Sequence, residues 1–423
     1  MTRDEAVAWV DAHAWRGVRP GLERIGEILE LFGDPHRSYP VVHVAGTNGK
    51  TSVTRFVSAL IAAHGLVPGT FTSPHLHRLE ERFPIALEVP DEAAFVAAVE
   101  EVRPLVDLYE ERTGEGPTYF ELTALLAFNR FAAEAVDAAV IEVGLGGRLD
   151  ATNVVQPEVA VVTSIGLDHT ELLGPDHAAI AGEKLGIVKP GATLVTGDLP
   201  AEALAVAESV SSELDVPHLR FGDAFAVADA TVAVGGWIVD VDGVHGRYGD
   251  LFLPLHGRHQ TLNLATSIAA TEAFFGRELS TDDVAEAVSS ITMPGRLEVV
   301  GRDPLVLVDG AHNPDGFEAA TDAAAEEFFP ERWVVVLGAM ADKDLAGLVD
   351  HLVGFADEVV TTAVDNPRAA TPDHLAEVVA AAGLAVTAEA DPERALAMAR
   401  ERAGRSGGVL VVGSLYLAGR LTA

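Results

Sequence analysis

Seven consecutive residues, Gly46-Thr47-Asn48-Gly49-Lys50-Thr51-Ser52, carry the chemistry most easily read from this chain. Glycines let backbone N–H groups approach phosphate oxygens, and a helix starting just after them presents its positive end. Lys50 is placed to contact the β- and γ-phosphates of a nucleotide, and Thr51 or Ser52 can offer a hydroxyl to Mg²⁺. Val44 stands where the common G-x-x-x-x-G-K-[ST] pattern has its first glycine. The competing reading is an ordinary turn between strand and helix. The apolar run Pro40–Ala45 before it and the helical spacing of Val53–His64 after it favour a phosphate loop.

Other polar residues stand at strand ends, where open α/β sheets bind ligands. Ser73 in TFTSPHL offers a hydroxyl to Mg²⁺, or belongs to a simple turn. Glu142 closes the apolar run VIEV ahead of the glycine-rich GLGGRLDATN, as a ligand-facing carboxylate or as the partner of an arginine. His169 follows another strand, and Asp168 is placed to orient its ring. Gln260 and Asn263 in GRHQTLN offer amides to a nucleobase or cap a helix. Arg296 in PGRLE suits a phosphate. Asp309 and His312 in DGAHNP end a further strand.

The lysines sharpen this reading. Of 29 Lys and Arg residues only four are lysine: Lys50, Lys184, Lys189 and Lys343. All four lie in motif-like segments, and an amine is compact, flexible and open to covalent modification in ways a guanidinium is not. Lys184 in EKLGIVKP is either a surface lysine or one set near a metal. Carbamylated by CO₂, it would become an oxygen ligand for a hard cation.

Positioning these groups calls for alternating strands and helices, with strands expected at 138–143 and 158–164, and hence a mostly parallel sheet covered on both faces. Residues 3–32 read as helical with a break around Arg19-Pro20-Gly21. Residues 221–254, rich in Val, Gly and Asp, read as antiparallel strands. The β/α alternation restarts after Thr292-Met293-Pro294-Gly295. Two domains follow, 1–293 and 294–423, the second a smaller Rossmann-like α/β unit.

Composition narrows the function. The 423 residues carry a formal net charge of −35, which argues against nucleic-acid or acidic-membrane partners and favours a cytoplasm rich in salt. Zero cysteines exclude disulfides and thiolate chemistry. The charged start MTRDEAVAWV lacks a signal core, and no apolar run is long enough to span a bilayer. A cytoplasmic protein is expected.

Together these segments resemble the folylpolyglutamate synthase/dihydrofolate synthase family of the Mur ligase superfamily. The resemblance rests on PGLERI, HVAGTNGKTS, TSPHL, TYFE, IEVGLGGRLDATN, TSIGLDHTELLG, EKLGIVKP, HQTLN, PGRLE, DGAHNP, DKD and GSLYLAG, in that order. It implies an N-terminal lobe that binds ATP and Mg²⁺ at two sites, and a C-terminal lobe that closes over it and helps bind glutamate. It implies Ser73, Glu142 and His169 as Mg²⁺ ligands, with Lys184 carbamylated, and Asn263, Arg296 and Asp309 as ATP contacts. The pterin substrate would lie near Val18, Arg19 and Pro20, near Thr118, Tyr119, Phe120 and Glu121, and near Leu149, Asp150 and Ala151. Lys50, Lys184, His169 and Arg296 would carry catalysis. One departure is Thr51, where the family loop usually has glycine.

The implied activity is ATP-dependent addition of L-glutamate to dihydropteroate, to the γ-carboxylate of a reduced folate, or to both, by a monomer. The alternatives are another Mur-type carboxylate–amine ligase with a different acid, or a nucleotide-binding regulator without catalysis.

Overall fold

The computed structural model describes residues 1–17 and 19–422. Val18, expected near the pterin, lies outside them. The chain opens with α1 (Arg3–Asp11) and α2 (Glu23–Leu31), then β1 (Val41–Ala45), α3 (Lys50–Ala63) and β2 (Pro68–Phe71). Next come α4 (Glu92–Thr113), α5 (Tyr119–Ala133), β3 (Ala138–Glu142), β4 (Val159–Val162), α6 (Thr170–Leu173) and α7 (His177–Leu185). β5 (Thr193–Thr196), α8 (Ala201–Leu214) and β6 (His218–Arg220) complete the first sheet.

Those six strands run parallel in the order β2-β3-β1-β4-β5-β6. Every residue of β1 and of β3 is buried, as expected for central parallel strands covered on both faces. One face packs against α1, α2, α4 and α5 through a core containing Ile28, Phe95, Leu125 and Phe128. The other packs against α7 and α8 through Ile180, Leu185 and Ala207. Local chemistry sets the helix starts. Thr118 and Glu121 form a reciprocal capping box on α5, and Asp91 caps α4.

β7 (Ala226–Ala233), β8 (Gly236–Asp242) and β9 (Arg247–Leu253) form a three-stranded sheet, followed by α9 (Arg258–Phe275) and α10 (Thr281–Ser290). The two residues between β7 and β8 can join only antiparallel neighbours, in agreement with the turn-rich sequence there.

The second six-stranded sheet contains β10 (Glu298–Arg302), β11 (Leu305–Val308), β12 (Trp333–Leu337), β13 (Glu358–Thr361), β14 (Val386–Ala388) and β15 (Gly408–Val412). Their order is β10-β11-β15-β12-β13-β14, with only β10 antiparallel. α11 (Pro314–Glu327), α12 (Leu345–Asp350), α13 (Pro372–Ala381), α14 (Pro392–Ala403) and α15 (Leu415–Thr422) alternate with them. Their core holds Phe317, Trp333, Leu348 and Leu410. The chain forms two compact units. One comprises Met1–Asp229, Val239–Leu251 and Leu262–Ile291; the other comprises Ala230–Ile238, Phe252–Thr261 and Thr292–Ala423.

Two details differ from the sequence reading. The N-terminal helical stretch breaks earlier than Arg19, since α1 ends at Asp11 and a short 3-10 turn occupies Ala14–Arg16. Gly17 then takes φ +62, which favours glycine. β10 is not anticipated from the sequence, because PGRLE is read only for Arg296 and no strand is expected directly after it.

Candidate active site

The phosphate loop spans the end of β1 and the start of α3. Gly49 has φ +82, and a Cβ there would lie 2.5 Å from the Asn263 side-chain oxygen. Glycine is therefore required both by conformation and by the approach of α9. The segment after β4 braces the loop from the side. Thr47 N donates to Ser164 O at 2.9 Å, Asn48 N to the Ser164 hydroxyl at 3.0 Å, and the Thr163 hydroxyl to Asn48 O at 2.6 Å.

Two amines converge on one carbonyl. Lys50 Nζ donates to Gly46 O at 3.0 Å and to Thr47 O at 3.0 Å, while Lys184 Nζ reaches Gly46 O at 2.9 Å from the end of α7. Lys184 is buried, and burial, reinforced by the charge of Lys50, draws its amine down to about 7. An amine in that range is substantially uncharged near neutral pH.

Glu142 is 1% exposed at the end of β3. Its carboxylate accepts the Thr51 hydroxyl at 2.9 Å on Oε1 and the Ser73 backbone N–H at 3.2 Å on Oε2. The structure thus brings three expected residues together: Thr51 from the loop, Ser73 after β2 and Glu142. Ser52 is buried within α3.

His169 sits at φ +51 at the start of α6. The expected Asp168 brace takes another form, since Asp168 Oδ1 accepts the His169 backbone N–H at 2.9 Å. The ring Nε2 lies 3.9 Å from that oxygen, too far for a hydrogen bond. A short aspartate next to a backbone donor meets it more easily than it meets its neighbour's ring.

Among the described residues no group of three His, Asp or Glu side chains could hold a metal alone. A cation here would depend on hydroxyl oxygens and on Lys184. The buried Glu142 carboxylate with the Thr51 and Ser73 hydroxyl residues beside it is a hard-oxygen set, which fits Mg²⁺. Lys184 as an unmodified amine is not a ligand; as a carbamate it would be.

The segments expected around the pterin also meet. Arg24, from PGLERI, donates to both Glu121 oxygens at 2.9 Å and to Arg19 O at 3.2 Å. Gly21 N reaches Leu149 O at 3.4 Å. Thr118 and Glu121 are buried, while Arg19 and Pro20 are exposed. The Tyr119 ring lies under the Arg82 guanidinium at 5.3 Å. Phe120 packs against Phe71, ring centroids 5.8 Å apart, and a Cβ at Gly144 would come within 2.4 Å of its ring. Leu149 is 38% exposed, whereas Asp150 and Ala151 are buried. Asp150 accepts Leu145 N at 2.9 Å and Thr152 N at 3.0 Å, so its carboxylate shapes the loop, and burial raises its pKa.

In the C-terminal unit, Asp309 binds two backbone donors, Leu297 N and Ala311 N, each at 2.7 Å. It thereby ties PGRLE to DGAHNP. Arg296 donates to Gly295 O at 3.2 Å, and a Cβ on Gly310 would lie 2.6 Å from its guanidinium. His312 Nδ1 lies 2.9 Å from Gly310 O, and Asn313 caps α11. Gln260 is 1% exposed in the first turn of α9. Next to it, burial lowers His259, against the opposing charge of Asp309.

Sequence reasoning assigned no role to Arg24, Asp150's loop contacts or Lys189. Arg24 fell within a quoted motif, but its partner lies 97 positions away, and no local signal links them.

Comparison with known proteins decides the family. Residues 44–271 match the Mur ligase middle domain and residues 295–415 the Mur ligase glutamate ligase domain. The Mycobacterium tuberculosis dihydrofolate synthase/folylpolyglutamate synthase is 41% identical over 85% of this chain and 77% of its own. This chain belongs to the dihydrofolate synthase/folylpolyglutamate synthase family. It is a Mur-type ATP-dependent glutamate ligase. The fold agrees. The M. tuberculosis folylpolyglutamate synthase complexed with ADP and AMPPCP superposes with TM-score 0.95 at 37% identity, covering 99% of this chain and 98% of that one. An FPGS–AMPPCP–folate complex superposes with TM-score 0.88 at 32% identity, covering 100% and 98%. Among the described residues no helix is long and apolar enough to cross a membrane.

Proposed function

We propose that this ligase joins L-glutamate to dihydropteroate, to the γ-carboxylate of a reduced folate, or to both, releasing ADP and phosphate. The observation that carries this reading is the meeting of Lys50 and Lys184 at Gly46, beside a loop whose Thr51 touches the buried Glu142. A free carboxylate is a poor acyl donor. Transfer of the γ-phosphoryl group of ATP to the acid makes an acyl phosphate, which the glutamate amine attacks; the tetrahedral adduct then expels phosphate and leaves an amide. The protein contributes positioning and charge stabilisation.

Gly46, Thr47, Asn48 and Gly49 offer backbone groups to the phosphates, and Lys50 neutralises the charge that moves. Gln260, Asn263, Arg296, Asp309 and His312 serve ATP. Arg19, Pro20, Thr118 to Glu121 and Leu149 to Ala151 face the pteroyl acid, with Val18 assigned there from sequence alone. Ser73, Glu142, His169 and a carbamylated Lys184 would hold Mg²⁺ at two sites, with Thr51 contributing its hydroxyl. Bound there, the cation supplies Lewis-acid stabilisation of phosphoryl oxygens. The lowered Lys184 amine supports the carbamate, because only an uncharged amine adds CO₂. The net charge of −35 supports work as a monomer in a salt-rich cytoplasm, away from nucleic acid and membranes.

Phosphate release in high KCl, with L-glutamate and either dihydropteroate or tetrahydrofolate and products weighed by mass spectrometry, tests the reading. Glutamate addition to either acid supports it. ATP turnover that ignores both acids moves the chain to a Mur-type ligase with another acceptor.

A further inference from the structure

Lys189 has no part in the reaction as proposed, yet it is one of only four lysines. Its amine donates to the carbonyl of Asn153 at 2.6 Å and to that of Val155. Both acceptors lie at the end of the glycine-rich loop that follows β3. Burial lowers this amine to about 8, the cost of holding a cation against two carbonyls of buried residues.

Further bonds join the same loop to the end of α7. Arg148 N donates to Glu183 O at 2.8 Å, and the Asn153 side-chain amide donates to Gly186 O and, within the loop, to Arg148 O, both at 3.0 Å. Gln156 Nε2 adds a bond to Pro190 O at 3.1 Å. The backbones touch directly: a Cβ at Gly147 would lie 2.7 Å from the Glu183 and Lys184 carbonyls, and one at Gly186 2.4 Å from Arg148 Cβ. Leu149, Asp150 and Ala151 are held between these attachments.

We propose that Lys189, with Asn153, is a positioning residue that fastens the acceptor-facing loop to the helix bearing Lys184, so that the bound acid is held in register with the phosphate loop. The proposal rests on the assignment of Leu149–Ala151 to the pteroyl acid. A compact ammonium meets both carbonyls from one point on a flexible stem. Without the ammonium both carbonyls lose this donor, and carbonyls of buried residues do not tolerate that well.

Full-length wild type, Lys189→Met and Lys189→Gln are to be compared in the glutamate- and ATP-dependent assay, with KM measured separately for acid and ATP, alongside thermal melts. Lys189→Met is expected to raise KM for the acid about tenfold, the scale of an outer-shell loss, while KM for ATP stays within about twofold. Lys189→Gln, which keeps a donor, falls between. Equal rises in both constants, or a lower melting temperature with unchanged constants, overturn the proposal and leave Lys189 a general support. Should Lys189→Met not fold, the Gln variant decides on the same split. Should wild type use no pteroyl acid, the acceptor assignment fails by itself, and amide hydrogen exchange decides the fastener: faster exchange in 147–155 than in 46–52 on substitution upholds it, and equal change overturns it.

Discussion

The Lys184 amine donates to the Gly46 carbonyl across 2.9 Å, joining residues 138 positions apart. The end of α7 is thereby attached to the phosphate loop, so under the proposed function a change at position 184 would reach the nucleotide as well as the cation.

Lys184→Ala is expected to lower kcat by at least ~100-fold, the scale of several kcal/mol of lost charge stabilisation by the metal. Steady-state assays with and without a small carboxylate check the role. Partial recovery with acetate is expected, since a free carboxylate can stand in for the carbamate. Full activity of the variant without any additive would remove the carbamate from the mechanism.

Thr51 contacts Glu142 by its hydroxyl alone. Thr51→Val keeps the shape and deletes that donor. The Mg²⁺ concentration giving half-maximal rate should rise about tenfold, as for other losses next to a metal. Thr51→Ser should stay near wild type. Titrating Mg²⁺ at saturating ATP separates the two, and equal behaviour of Val and Ser would show that the hydroxyl does not serve the cation.

At Gly49 an alanine would meet both a left-handed φ of +82 and the Asn263 side chain. The backbone alone costs about 1–2 kcal/mol. Gly49→Ala should weaken ATP binding by about tenfold or more, read by calorimetry. Gly49→Ala combined with Asn263→Ala should restore little, because the φ penalty remains and the ATP contact assigned to Asn263 is lost as well. Full recovery in the double variant would assign the whole effect to the collision.

Acid should destabilise the protein through His43. The ring is fully buried with Nε2 against the Thr152 hydroxyl at 2.9 Å, and burial, aided by the charge of Lys189, lowers it from 6.5 to about 3. Below 6.5 the unfolded chain binds a proton that the folded chain refuses. This contribution is intact above about pH 6.5 and is lost as pH falls toward 3, at about 1.4 kcal/mol per pH unit. Denaturant midpoints at a series of pH values should fall less steeply for His43→Asn than for wild type. Parallel curves would show that other groups govern the acid limb.

Much of this was legible in the chain. Apolar strands such as Val140-Ile141 ending in Glu142, and the strand–helix alternation after Gly295, are local signals. The second sheet follows them nearly element by element. The contacts that make the site are not local. Arg24 finds Glu121 across 97 positions and Lys184 finds Gly46 across 138, and no spacing rule links such pairs. The Asp168 brace was legible only in part: the αL backbone of His169 brings its own N–H, 2.9 Å away, against Asp168 Oδ1, while the ring Nε2 lies 3.9 Å from that oxygen.

The distribution of lysines has a practical outcome. Lys184 is buried, and Lys50, Lys189 and Lys343 are half-buried. A protease that cuts only after lysine therefore meets few accessible bonds in the native fold, and the bond after Lys189 precedes Pro190. Digestion at Lys50, Lys184 and Lys343 would accelerate on opening of the units that contain them, so fragment masses would report which part of the enzyme had loosened without any label being attached.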